Sequence, residues 1–154
     1  MLPSSFANKL YGTTDGIEAS LNWNVTHRWT LSPGYSFLQM NLHAEPASLD
    51  NTSVADAQGS NPGHQAQLRS RLELPHNFTW DANAYFVGKL PAQLVPSYTR
   101  LDTQLTWRPG ERTEVSLVGQ NLLQDHHLEF NDAFQSVNST QVKRSVYAKI
   151  TRTF

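Results

Sequence analysis

From Thr13 onward the odd positions read Thr13, Asp15, Ile17, Ala19, Leu21, Trp23 and Val25, and the even ones Thr14, Gly16, Glu18, Ser20, Asn22 and Asn24. A period of two throws successive side chains to opposite faces, so this segment is expected to be a strand. The pattern returns over 29–42 with Trp29, Leu31, Tyr35 and Phe37 on one face, although apolar character crosses to Leu38, Met40 and Leu42 at the far end. Residues 64–74 set Ala66, Leu68, Leu72 and Leu74 against Gln65, Gln67, Arg69, Arg71 and Glu73. Residues 78–90 set Phe78, Trp80, Ala82, Ala84 and Phe86 against Thr79, Asp81, Asn83 and Tyr85. Further strands are expected at 95–107, 113–123 and 142–154. In the last, Val146, Ala148, Ile150 and Phe154 oppose Lys143, Ser145, Lys149 and Thr151. No stretch has a helical period. The expectation is an all-β, antiparallel, up-and-down meander of about seven strands, each near the length a tilted membrane strand needs.

The connections alternate in length. Residues 25–28, 75–77 and 109–112 are tight turns rich in Pro, Asn or Gly, whereas 43–63 and 124–141 are long and polar; 91–94 is short where a long loop is due. Short turns at one end and longer loops at the other describe an outer-membrane barrel with the short turns in the periplasm.

Composition excludes several classes. No run reaches the roughly 18 apolar residues of a spanning helix, and the first ten residues lack a charged start followed by an apolar stretch. Twelve Lys and Arg stand against 13 Asp and Glu, a net charge of −1, so no field favours nucleic acid. With no cysteine there are no disulfides, thiolate metal sites or thiol nucleophiles.

The four tryptophans carry the strongest single signal. With the short turns below, Trp23, Trp29, Trp80 and Trp107 all fall near the bottoms of their strands, and each has the parity of its strand's apolar face. An indole is favoured at the headgroup boundary, so these residues are expected to form an outward aromatic girdle; Phe37 and Phe86 are candidates for the upper level. The competing reading, a soluble β-sandwich binding carbohydrate through exposed aromatics, must place all four at one height by chance.

On these residues a resemblance can be stated. The segments Val95-Pro96-Ser97-Tyr98-Thr99-Arg100-Leu101-Asp102, Leu105-Thr106-Trp107-Arg108-Pro109, Val118-Gly119-Gln120-Asn121-Leu122-Leu123 and Glu129-Phe130, with a closing Arg144-Ser145-Val146-Tyr147 and Phe154, are similar to the final strands of TonB-dependent outer-membrane receptors. Upstream, Gly16-Ile17-Glu18, Trp29-Thr30-Leu31, Tyr35-Ser36 and Asn61-Pro62-Gly63-His64-Gln65 fit the same family. The resemblance implies a segment of a barrel of about 22 strands around an N-terminal plug. Residues 1–12 are then the end of an extracellular loop and 13–154 the C-terminal part of the barrel, with the plug absent. It implies an outer-membrane location in a Gram-negative bacterium and uptake of a scarce nutrient, a ferric siderophore or similar metal chelate ahead of cobalamin or oligosaccharide. The partners it implies are the TonB complex through the missing N-terminal region, the barrel-assembly machinery, outer-membrane lipid and a small-molecule ligand. Phe154 resembles the terminal signal read by that machinery, with Ile150 and Tyr147 as further members; Arg152 departs from the apolar residue often found there. A plug-less porin-like barrel remains a further alternative.

Candidate chemistry adds little. His126-His127 with Glu129 is the most tempting metal cluster, but adjacent strand residues face opposite ways, so no metal site or other cofactor is assigned. No triad or phosphate loop stands out, and no enzyme is expected. Arg69, Arg71, Lys89 and Arg100 face the expected lumen, where they could meet an anionic ligand or pair with Asp102, Glu73 and acidic plug residues.

Overall fold

A computed structural model describes residues 7–50, 52–131, 139 and 141–154. Eight strands form one antiparallel sheet: β1 (Leu10–Ser20), β2 (Trp23–Thr26), β3 (Trp29–Ala44), β4 (His64–Leu74), β5 (Phe78–Val87), β6 (Tyr98–Gly110), β7 (Thr113–Gln120) and, across the last long connection, β10 (Ser145–Arg152). The order is β1-β3-β4-β5-β6-β7-β10, with β2 also on β3, so each strand lies beside its neighbour in sequence. That is an up-and-down meander, and β1 and β10 are its two open edges. A hairpin of β8 (His126–Leu128) and β9 (Gln141–Lys143) forms a separate two-stranded sheet.

Several expected boundaries change: the fifth strand spans Tyr98–Gly110, the sixth ends at Gln120, and the seventh is Ser145–Arg152, its expected start lying in the separate strand Gln141–Lys143. The first strand starts at Leu10 rather than Thr13 and is broken at Leu21-Asn22; β2 then resumes on β3 with a register shift between Asn24 and Thr26. The fourth strand ends at Val87, and residues 91–93 form a 3-10 turn closed by a bridge between Leu90 and Val95. A helix, α1 (Ser53–Gly59), sits in the first long connection, where no helical period was visible. Its Thr52 cap makes no side-chain bond; instead Asp50 Oδ1 accepts the amides of Thr52 and Ser53 at 3.0 Å each, satisfying donors a helix start leaves free.

The sheet has no apolar interior. The register gives continuous cross-strand rows, and alternate rows differ in chemistry. One runs Trp29–Leu72–Trp80–Leu105–Leu117–Ala148, and the next on the same face Leu74–Phe78–Trp107–Val115–Ile150. The opposite face carries Thr30–Arg71–Asp81–Gln104–Val118–Tyr147. Cover is inverted relative to a soluble protein: Trp80, Leu105, Trp107 and Leu117 are exposed, while Thr79, Thr106 and Ser116 are buried. No second sheet lies opposite the apolar face among the described residues, so no sandwich core exists there.

Candidate functional site

The apolar face fixes the tryptophans. Trp29 and Trp80 share one row, Trp23 pairs with Leu31 one same-face row nearer the long loops, and Trp107 lies one row nearer the short turns. Phe78 stacks on Trp107 at 5.9 Å. Two indoles do something the sequence did not announce: Trp80 Nε1 donates to Thr103 Oγ1 at 2.7 Å and Trp29 Nε1 to Ser70 Oγ at 3.0 Å. In both pairs the acceptor is on the next strand, two residues along from the indole's register partner and away from the short turn. These N–H groups are satisfied inside the sheet rather than by reaching solvent.

The upper end of the band is equally defined. Ile17 pairs with Phe37 and Phe37 with His64, and Phe86 stands opposite Ala66 one row below. Above Phe37 the same face turns polar, with Asp15 opposite Gln39 and Thr13 opposite Asn41. The other face of β3 turns apolar there: Leu38, Met40 and Leu42 are half-buried, and α1 leans on the strand with Gln58 Nε2 donating to the Met40 carbonyl at 2.9 Å. The crossing of apolar character seen in the sequence is thus a change of surroundings. From Trp29 to Phe37 the strand rises about 27 Å, which after a tilt of about 40° gives a height of about 21 Å, most of the about 25 Å of an outer-membrane apolar band.

The polar face is bonded to itself. Gln104 Nε2 donates to Thr106 Oγ1 at 2.9 Å, Arg108 pairs with Glu114 at 2.8 Å, and Arg71 with Asp81 at 3.7 Å. Arg69 donates to Gln67 Oε1 at 3.2 Å. Arg100 is committed to Asp102 at 2.7 Å and lies 3.5 Å from Glu129, so its charge is already answered. Lys89 lies beyond β5, on the rim of a cavity of about 310 Å³ that Leu38, Met40, Gln58 and Pro91 also line. A second groove, of about 600 Å³, runs along β1, β3, β4 and β5, where Glu18, Ser36, Gln65, Gln67 and Tyr85 border Gly34. A Cβ at Gly34 would stand 2.8 Å from Gln67 Nε2, so a larger residue there would displace the Gln67 side chain within the groove.

At the long-loop end of β6 and β7 is a cluster that the sequence did not assemble. Asn121, fully buried with φ of 52°, takes its backbone amide to Asp102 Oδ1 at 2.9 Å and its Nδ2 to the Val142 carbonyl at 3.0 Å. His127 Nδ1 is 3.1 Å from Asn121 Oδ1, its Nε2 is 3.0 Å from Glu129 Oε1, and its ring stacks on Tyr98 at 4.3 Å. His126 is exposed and His127 buried, as opposite strand parity requires. Among the described residues no group of three His, Cys, Asp or Glu side chains is placed to hold a metal.

The terminal-signal residues are not on one face. Val146 and Ile150 belong to the apolar face, Tyr147 to the polar row beside Val118, and Phe154 lies past the end of β10 with Arg152 5.9 Å over its ring.

Two comparisons bear on this geometry. The profile of a family described as "TonB dependent receptor-like, beta-barrel" matches residues 6–122. A protein of Acinetobacter baumannii named "Probable TonB-dependent siderophore receptor PiuA" is 25% identical over 153 residues, covering 92% of this chain and 20% of that protein. The chain therefore spans about a fifth of the length of this curated relative.

Proposed function

Since the chain belongs to the TonB-dependent receptor-like β-barrel family, we propose that it forms part of the wall of an outer-membrane receptor for active uptake of a scarce nutrient, a ferric siderophore or similar metal chelate. One observation carries the reading: the sheet turns unpaired apolar rows outward and keeps its polar, hydrogen-bonded rows on the other face. In water that arrangement leaves large side chains uncovered; in a bilayer the outward rows meet lipid and the polar rows line a wet lumen.

Metal chelate as ligand rests on the printed name of the relative. The polar groove around Gly34 offers the ligand hydroxyls, amides and a phenol, whereas Arg100 is occupied by Asp102 and Glu129. The same reading gives the complete receptor TonB and the barrel-assembly machinery as partners, with Phe154 and Ile150 as residues the latter would read.

Uptake of ⁵⁵Fe-labelled chelates by cells expressing the complete gene product, with and without TonB, tests this. The expected result is accumulation of at least one chelate that stops when TonB is deleted. Passive ion conductance by the purified protein, with no TonB-dependent accumulation of any chelate, would place it among plug-less porins instead.

A further inference from the structure

Charge is almost absent from the apolar face. On the long strands β1, β3, β4, β5, β6, β7 and β10 its positions hold two Asp, Glu, Lys or Arg side chains: Asp15 above the apolar band and Arg152 below it. The other acids and bases of these strands, from Glu18 to Lys149, have the parity of the polar face. A lone arginine on an otherwise uncharged face calls for a partner.

Its level names one. Arg152 stands opposite Thr113, one same-face row beneath Trp107–Val115–Ile150. Two residues along a strand span about 7 Å, or about 5 Å of height at a tilt of about 40°. The polar layer on each side of a bilayer's hydrocarbon is about 5–7 Å deep. With Trp107 and Phe78 at the boundary, Arg152 falls at the height of lipid phosphates on the short-turn side.

Its surroundings suit an anion. Among the described residues no carboxylate pairs with Arg152; Glu114, one residue from its register partner, has the opposite parity and is held by Arg108 at 2.8 Å. The Arg112 carbonyl accepts the Thr153 amide at 2.9 Å, which brings a turn with a second exposed arginine beside the strand end. Glu111, also exposed, is the acid of that turn. Arg152 lies 5.9 Å over the Phe154 ring, a contact that holds the cation without consuming the N–H donors that grip a phosphate in pairs. A zwitterionic headgroup would bring its own ammonium against these arginines, whereas an acidic one brings only negative charge.

We propose that Arg152 binds the headgroup phosphate of an acidic phospholipid in the periplasmic leaflet, with the Phe78–Trp107 stack covering the glycerol above it and Arg112 adding to the field. The site rests on the outward face meeting lipid, as in the proposed function.

Native mass spectrometry of the complete receptor, released from micelles holding equal amounts of phosphatidylglycerol and phosphatidylcholine with the same acyl chains, counts the lipid that stays bound. Arg152→Gln is expected to lower the ratio of bound phosphatidylglycerol to phosphatidylcholine about five-fold, the factor that one cation near an anionic surface contributes. Arg152→Lys keeps the charge and should recover most of the ratio. Lys149→Gln, on the opposite face of the same strand, should leave it unchanged. A ratio untouched by Arg152→Gln, lowered as much by Arg152→Lys, or lowered as much by Lys149→Gln would overturn the proposal. Heat-modifiable migration on gels reports the barrel of each variant, so failure of the outer-membrane reading shows there and failure of this site shows in the ratio.

Discussion

The indole N–H of Trp80 donates to the hydroxyl of Thr103 at 2.7 Å, and Thr103 passes its own hydrogen to the Asp81 carbonyl at 3.0 Å. Trp29 repeats the first step with Ser70. A short relay thus lets an indole lie against apolar surroundings without an orphaned donor. Replacing Thr103 by Val keeps the shape and removes the acceptor; the expected loss is about 1–3 kcal/mol, the cost of an unmade bond away from water. Thr99→Val, on the same face but without such a partner, is the control. Urea titration of the folded receptor in lipid vesicles, read by tryptophan fluorescence, checks the difference.

The apolar band ends between Phe37 and Gln39 on β3, so an arginine scan should feel that boundary. Leu68→Arg, well inside the band, is expected to cost about 2–4 kcal/mol, and Gln39→Arg about 0–1. Equal costs in a lipid-vesicle unfolding assay would mean that this face does not meet lipid.

Asp102 serves two partners, Arg100 and the Asn121 amide. Asp102→Ala leaves the buried Asn121 amide without its acceptor and Arg100 with only the 3.5 Å contact to Glu129. The expected destabilisation is about 2 kcal/mol, below the 3–5 of a fully buried pair because both side chains keep some solvent. Loss of the resistance to unfolding in SDS at moderate temperature is a sensitive readout.

Asp50 lies in the connection before α1, where hydrogen bonds from Ser53, first from its side chain and then its backbone, and from Thr52 hold its carboxyl down at about 2. A folded-state value below the ordinary carboxylate range contributes order that is present above that range and lost as pH falls through about 2. Amide exchange at Thr52 and Ser53 is therefore expected to stay slow at neutral pH and to lose protection only near that acid limit. Asp50→Ala should abolish the protection at neutral pH.

Period two was enough to read the meander because one face needed to be apolar and the other polar along every long strand; Trp29–Leu72–Trp80 and Arg71–Asp81 fall on the faces their parity assigned. The pairing of Arg100 with Asp102 was legible for the same reason, two residues on one face of one strand. What escaped was short or non-local. Helix α1 is too brief to show a period and is held by Asp50 and by contact with β3. The break at Leu21-Asn22 leaves alternation intact, so parity does not reveal it. The Asn121 cluster joins residues about twenty positions apart; its one sequence signal was the Gly-Gln-Asn-Leu run, which resemblance picked out without a physical role. Tyr147 was grouped with Ile150 by resemblance although their parity differs, and the register puts them on opposite faces.

Asn121 also bears on how the last strand finds its place. The excursion from Asn121 to Arg144 separates β7 from β10, and closing a loop of that length costs about 1.5 kcal/mol more entropy than a four-residue turn. By gripping Asp102 on one side and the Val142 carbonyl on the other, Asn121 draws the two ends of the excursion together just short of β10. Kinetically, β7 and β10 can then zip from that end as if joined by a tight turn, so the slowest pairing in the sheet by chain separation inherits the rate of a local one.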